Sequence, residues 1–207
     1  MRLRSVLALL ALLSASPLPS QAGPVPDQAA LRDQTSRLAI AVLGEICLLN
    51  IGDANGIAAA AAPGGEFGFV EAPADLTAPL LGDRGGYVRV LRRPGMGAVT
   101  LVASKDGDCS VMAEYADAAA IRTHLLSMVE RGGLRNGGSL VVLDTRDDNG
   151  VRLTNYALNP QGWFAALLAK RFGGEGAAPL PLVTAIAPPG RAASEAILSV
   201  RRPPTAH

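Results

Sequence analysis

The chain has two histidines, and His124 is the one placed inside a patterned segment, since His207 is the last residue. A Ser–His–Asp device would use His124 as base, with Ser104, Ser110, Ser127 or Ser139 as nucleophile. No Gly-x-Ser-x-Gly elbow surrounds any of them, and Gly138-Ser139-Leu140 reads as a strand start. On a helix beside Arg122 and Thr123, His124 is most plainly a surface or boundary residue. The carboxylates concentrate in turns. Asp144, Asp147 and Asp148 lead into Asn149-Gly150. Aligned as a calcium loop on Gly150, they put Thr145 and Tyr156 where calcium needs its two strongest acidic ligands, so a hairpin turn is the better reading. Asp106-Gly107-Asp108 reads the same way. A glycosidase pair needs two carboxylates across a cleft, and nothing selects among Glu66, Glu71 and Glu114.

Metal and phosphate chemistry lack their residues. The cysteine and histidine spacings match no zinc pattern. Pro63-Gly64-Gly65 and Arg131-Gly132-Gly133 carry no Gly-Lys-Ser/Thr. No metal and no cofactor is expected, and catalytic residues are assigned to none. Arg84, Arg89, Arg92 and Arg93 form the most basic local cluster, a candidate anion contact. The competing account is a solvated strand edge, since charges blunt exposed edges.

Two cysteines remain, Cys47 in LGEICLLNIGD and Cys109 in KDGDCSVMAEY. How they are read depends on the compartment. Met1 to Ala22 has the pattern of a secretory signal: Arg2 and Arg4, then the apolar run Val6 to Leu13, then Pro17 and Pro19, with Ser20-Gln21-Ala22 ahead of a cut before Gly23. The run is too short to span a bilayer. No cysteine stands just after it, so lipid attachment is not expected. In an oxidising compartment an even pair is usually a disulfide. Closing so long a loop would stabilise the fold by roughly 4 kcal/mol in the chain-entropy model.

The elements that must position these residues follow in order. Gly23 to Asp27 is an extended leader, with Asp27 placed to cap a helix over 28–49. Arg32, Asp33, Gln34 and Arg37 mark the outer face of its first half, and its second half is apolar on most sides. A short Ala-rich helix spans Ile57 to Ala62, and Phe67 to Val70 reads as extended. Leu76 to Leu81 is either one helical turn or a loop. Strands follow at 87–91, 98–103 and 109–115, the last with Cys109, Val111, Ala113 and Tyr115 on one face. Asp117 caps a helix to about Glu130, with Ile121, Leu125 and Met128 as its stripe. Strands at 139–145 and 151–158 flank the Asn149-Gly150 turn. Residues 162–171 have both faces apolar and fit either a helix, which Ala and Leu favour, or a strand continuing the meander, which is the reading taken. A last strand covers 180–187.

This is an α+β pattern, an antiparallel sheet with helices on one face, and it contains an echo of helix plus three-strand meander (28–49 with 87–115, 117–130 with 139–187). The organisation expected is a signal peptide (1–22), a leader (23–27), one domain (28–188) and a poorly ordered tail (189–207). Hydrophobic residues make up 49% and aromatics 4%, so the core is built from Ala, Val, Leu and Ile. With the signal removed the charges nearly balance, and no global field favours nucleic acid.

The signal pattern, the Cys47 helix, the Ala-rich turn into Gly68-Phe69, and Gly-Asp-Cys-Ser-Val at 107–111 together resemble small exported proteins of Gram-negative bacteria. The resemblance spans about residues 40–130. It implies a periplasmic or secreted location and the Cys47–Cys109 bridge, and nothing about mechanism. The function expected is a non-enzymatic binding or interaction module that uses the sheet face or an edge. The first alternative is a hydrolase using carboxylates or His124, and the second is an envelope structural or inhibitor protein. The partner expected is another envelope protein or a small ligand, with no nucleic acid and no transmembrane anchor after signal cleavage. Mass spectrometry of the exported protein, digested without reductant, should return a mature N-terminus at Gly23 and one peptide linked through Cys47 and Cys109. An uncut N-terminus would sink the export reading, and two free thiols would sink the staple.

Overall fold

The computed structural model describes residues 27–173, 178–190, 192 and 194–202. The expected signal peptide, most of the expected leader and the end of the expected tail lie outside these residues. Eight antiparallel strands form one sheet in the order β1-β2-β3-β4-β8-β7-β6-β5. In sequence they are β1 (Val70–Glu71), β2 (Gly86–Leu91), β3 (Val99–Ser104), β4 (Cys109–Ala113), β5 (Gly138–Asp148), β6 (Val151–Pro160), β7 (Leu180–Ile186) and β8 (Ala196–Val200). The helices are α1 (Gln28–Val42), α2 (Ala54–Ala60), α3 (Ala74–Leu81), α4 (Ala118–Glu130) and α5 (Gly162–Phe172). The class is α+β, as the sequence pattern implies.

Capping explains where three helices start. Asp27, Asp53 and Asp117 accept from the backbone N–H of Ala29, Gly56 and Ala120 at 3.0, 2.9 and 2.8 Å, which satisfies donors that no helical carbonyl can reach. α1 runs into a π-helical turn, Leu43–Leu48, closed by the Leu49 N–H donating to the Gly44 carbonyl at 3.2 Å. This turn is almost wholly buried and carries Cys47. The carbonyls of Leu49 and Ile51, just after it, find a partner in Arg171 of α5, which donates to them at 2.9 and 3.2 Å.

Cys47 and Cys109 are joined, with Cα atoms 5.5 Å apart and a sequence separation of 62. Cys109 pairs with Ala103 on one side and Val200 on the other, so the staple ties the π-turn to the middle of the sheet. Beside it the loop after the π-turn meets the β3–β4 hairpin. The Gly52 N–H donates to the Gly107 carbonyl at 3.1 Å, and a Cβ on Gly107 would stand 2.7 Å from the Gly52 backbone. Both residues have positive φ, so glycine is required on both sides of this approach.

Strand alternation assigns the faces. Leu101, Val111 and Leu198 share one face in register and are fully buried under α1 and its π-turn. Val88 and Val90 point the other way and are covered by α3, the helix that packs on β2 and β3 from the opposite side. The helix layer is therefore concentrated on one face, with α3 as the exception.

Three expectations are corrected. Residues 162–171, read as a strand, form α5, because Phe164 and Leu168 enter the core at helical spacing and Ala and Leu favour helix. Gly173 then ends it in the left-handed conformation. The expected tail contains β8, which sits between β4 and β7 and joins two half-sheets into one. Ala196, Leu198 and Val200 fill the core side of that strand. The second half is accordingly helix, two strands, helix, two strands, so the echo of a three-strand meander does not carry through.

Arg32, assigned to the outer face of α1, instead reaches inward to Glu195, just ahead of β8. Glu195 is 2% exposed. Its Oε1 accepts from Arg32 at 3.1 Å and from the Gly190 N–H at 2.8 Å, and its Oε2 accepts from the Ala116 N–H at 3.0 Å and from the other Arg32 amino group. Burial alone would push this carboxyl up, but the guanidinium and the two N–H groups outweigh it and hold it below the usual carboxylate range. The folded pKa lies under the unfolded one, so this stabilisation is complete above the unfolded glutamate value and is lost as pH falls through the folded one. Arg32→Met strands a buried carboxylate and should cost about 3–5 kcal/mol at neutral pH. Urea melts across pH should show the gap to the natural protein narrowing on acidification. A gap that does not change with pH would show that the ion pair is not its source.

Candidate functional site

A groove of about 510 Å³ runs between α1 with its π-turn and the second half of α4. Its floor is apolar, from Ile40, Ala41, Leu49 and Met128, and its rim carries Arg37, Glu45, His124, Ser127 and Arg131. Helical spacing explains the α4 wall: 123, 124, 127, 128 and 131 recur at one-turn intervals and form one stripe. On the other wall the π-turn widens the backbone by one residue and re-aims the side chains after Ala41. π-turns of this kind are common at functional sites. The helices approach closely because position 44 is glycine, where a Cβ would lie 2.6 Å from the Met128 sulfur.

At the mouth of the groove, His124 Nε2 donates to Asp33 Oδ1 at 2.8 Å. The His124 side chain is 17% exposed and that of Asp33 is 46% exposed. The other Asp33 oxygen accepts from Arg37 at 3.4 Å, one helical turn along α1. The structure thus brings together His124, a carboxylate and Ser127. Asp33 was missed as a site residue because its surface-facing pattern on α1 says nothing of α4, and no local signal would have found it.

The chemistry this arrangement can perform is limited by where it sits. His124 spends Nε2 on a half-exposed carboxylate already shared with Arg37. The groove lies toward the C-terminal half of α4, whose end presents carbonyl oxygens and negative dipole charge. An acyl-transfer oxyanion needs N–H donors. The free N–H groups of α4 are at its other end, where Asp117 takes one of them. Arg131, which complements the C-terminal dipole, forms no ion pair among the described residues.

The arginine cluster does not assemble. Arg84 precedes β2 while Arg92 and Arg93 follow it, a whole strand apart. Arg89, between them, turns to the helix face, where it pairs with Glu71 at 3.2 Å and lies over the Tyr87 ring. Arg92 pairs with Glu114 at 3.7 Å, and Arg84 donates to the Leu80 carbonyl at 3.4 Å. The Tyr87 hydroxyl is buried without a protein partner, and burial pushes it well above the usual phenol value, with Arg89 opposing. Among the described residues no group of three acidic, histidine or cysteine side chains is placed to hold a metal, and no helix is long and apolar enough to cross a membrane.

The chain matches no family model, no curated protein and no solved structure.

The His124–Asp33 contact is a clasp between α1 and α4. A double-mutant cycle with His124→Gln and Asp33→Asn should give a coupling of about 0.5–1 kcal/mol, the size of a partly exposed pair. Zero coupling in urea melts would mean the contact is incidental.

Proposed function

We infer that the protein is an exported, non-enzymatic binding module and that the groove between α1 and α4 is its contact surface. The observation that carries this reading is the groove itself: an apolar floor inside a rim of charge, of a size typical for small-molecule sites. The occupant that fits is an amphipathic anion, with an apolar body on Ile40, Ala41, Leu49 and Met128 and an acidic head toward Arg131 and Arg37. Arg131 is the stronger anchor because Arg37 already shares Asp33. The disulfide supports export, since such bridges persist in oxidising compartments.

The second reading is a hydrolase, and the His124–Asp33 contact beside Ser127 favours it. The binding reading is preferred because the carboxylate is divided between His124 and Arg37 and no nucleophile elbow surrounds Ser127.

An anionic fluorophore such as anilinonaphthalene sulfonate distinguishes the readings. Its emission should rise on mixing with the protein, and its Kd should weaken at least tenfold in Arg131→Glu and in Ala41→Trp, which fills the floor. Affinity unchanged in both variants would remove the groove as the site. Hydrolysis of an activated ester that is lost in His124→Gln would replace binding with catalysis.

A further inference from the structure

A second cleft, of about 830 Å³, opens between the first half of α4 and the β5–β6–β7 end of the sheet. Among the residues lining the two spaces it shares only Thr123 with the groove, and the inference below does not depend on that site. Its floor continues the core face of the sheet, yet its composition changes. Across β3, β4 and β8 one register row reads Leu101, Val111, Leu198, all fully buried and apolar. The same row continues as Thr184 on β7, Thr154 on β6 and Thr145 on β5. The switch from hydrocarbon to hydroxyl falls where the helix layer ends and the cleft begins.

This row is built by a specific device. β5 carries a bulge between Val142 and Asp144, which reverses its alternation. Without it Asp144 would share the phase of Val142. With it Val142 and Thr145 both line the cleft, and Thr145 stands directly opposite Thr154. The Thr145 hydroxyl donates to Thr154 Oγ1 at 3.3 Å, which leaves the Thr154 proton free to donate onward. Thr184 is 1% exposed, a degree of burial at which a hydroxyl is retained at a cost unless it is used. Tyr156 lines the next row.

The walls supply charge. Arg122 of α4 lines the cleft and pairs with no carboxylate among the described residues. Arg152 lines it too, held by Asp147 at 3.4 Å. Asp117 faces it, with one oxygen committed to the Ala120 N–H. We propose that this cleft binds a sugar acid, with its hydroxyls on the threonine row of β5, β6 and β7 and its carboxylate on Arg122. A ladder of hydroxyls at strand spacing, about 4.8 Å, suits a ligand with several hydroxyls better than a compact anion such as phosphate, and one open arginine calls for a single negative charge.

Titration of the isotope-labelled protein with D-glucuronate, D-glucose and a short oligogalacturonate tests this. Glucuronate should shift the amides of Thr145, Thr154 and Thr184, and glucose should bind at least tenfold more weakly. Thr184→Val should keep or raise the Tm while weakening glucuronate at least tenfold. Arg122→Gln should weaken glucuronate at least tenfold and leave the glucose affinity unchanged. Oligogalacturonate binding as tightly as glucuronate would identify the source as a polymer end, and weaker binding would identify a free sugar acid. Amides that do not move with either acid, or full affinity in both variants, would overturn the proposal.

Discussion

A single buried carboxylate sets the geometry of this protein. Glu195 stands where the chain enters β8 and is gripped from three directions: by Arg32 of α1, by the Ala116 N–H between β4 and α4, and by the Gly190 N–H of the β7–β8 loop. A buried ion is tolerated only when its lone pairs are filled, and here four donors fill them. One residue thereby aligns the strand that completes the sheet, the helix that roofs it and the segment that leads into α4. The disulfide performs the complementary task at the other end of β4, where Cys109 fastens the π-turn to the sheet centre.

With α1 and β4 held at both ends, α4 has a fixed seat, and the two candidate sites follow from that seat. On one flank α4 meets α1 across a gap kept narrow by Gly44. On the other its first half stands over strands that extend beyond the helix layer, so the core face of β5, β6 and β7 borders open space. Both concavities are incomplete coverage of a sheet and a helix pair. What distinguishes them is lining: hydrocarbon with a charged rim in the groove, hydroxyls with one open guanidinium, that of Arg122, in the cleft. Both linings combine aliphatic side chains with threonine, which makes the placement of the few charges decisive.

The candidate sites were less legible than the fold. His124 stood out because histidine is rare in this chain, but its partner Asp33 lies on another helix and nothing near it in sequence points there. The basic cluster around β2 looked convergent because its residues are close in number. Strand geometry separates them, since alternation turns Arg89 inward while Arg84 and Arg92 lie beyond opposite ends of the strand. Thr145, Thr154 and Thr184 carry no local mark at all. Their row exists only through inter-strand register and through a bulge that changes the phase of β5.

Local chemistry written in the sequence decided the caps at Asp27 and Asp117, the turns at Asp106-Gly107 and Asn149-Gly150, the apolar alternation of β2, β3 and β4, and the α+β class. These depend on a few neighbouring residues, so spacing reveals them. Tertiary structure decided the rest. It made a helix of residues 162–172, where propensity and core packing outweighed an ambiguous alternation. It placed β8 at the centre of the sheet, where five residues too short to announce themselves gain two pairing partners. It turned Arg32 inward to Glu195. In each case the stabilising contact comes from residues far away in the chain, and only the folded arrangement brings them within reach.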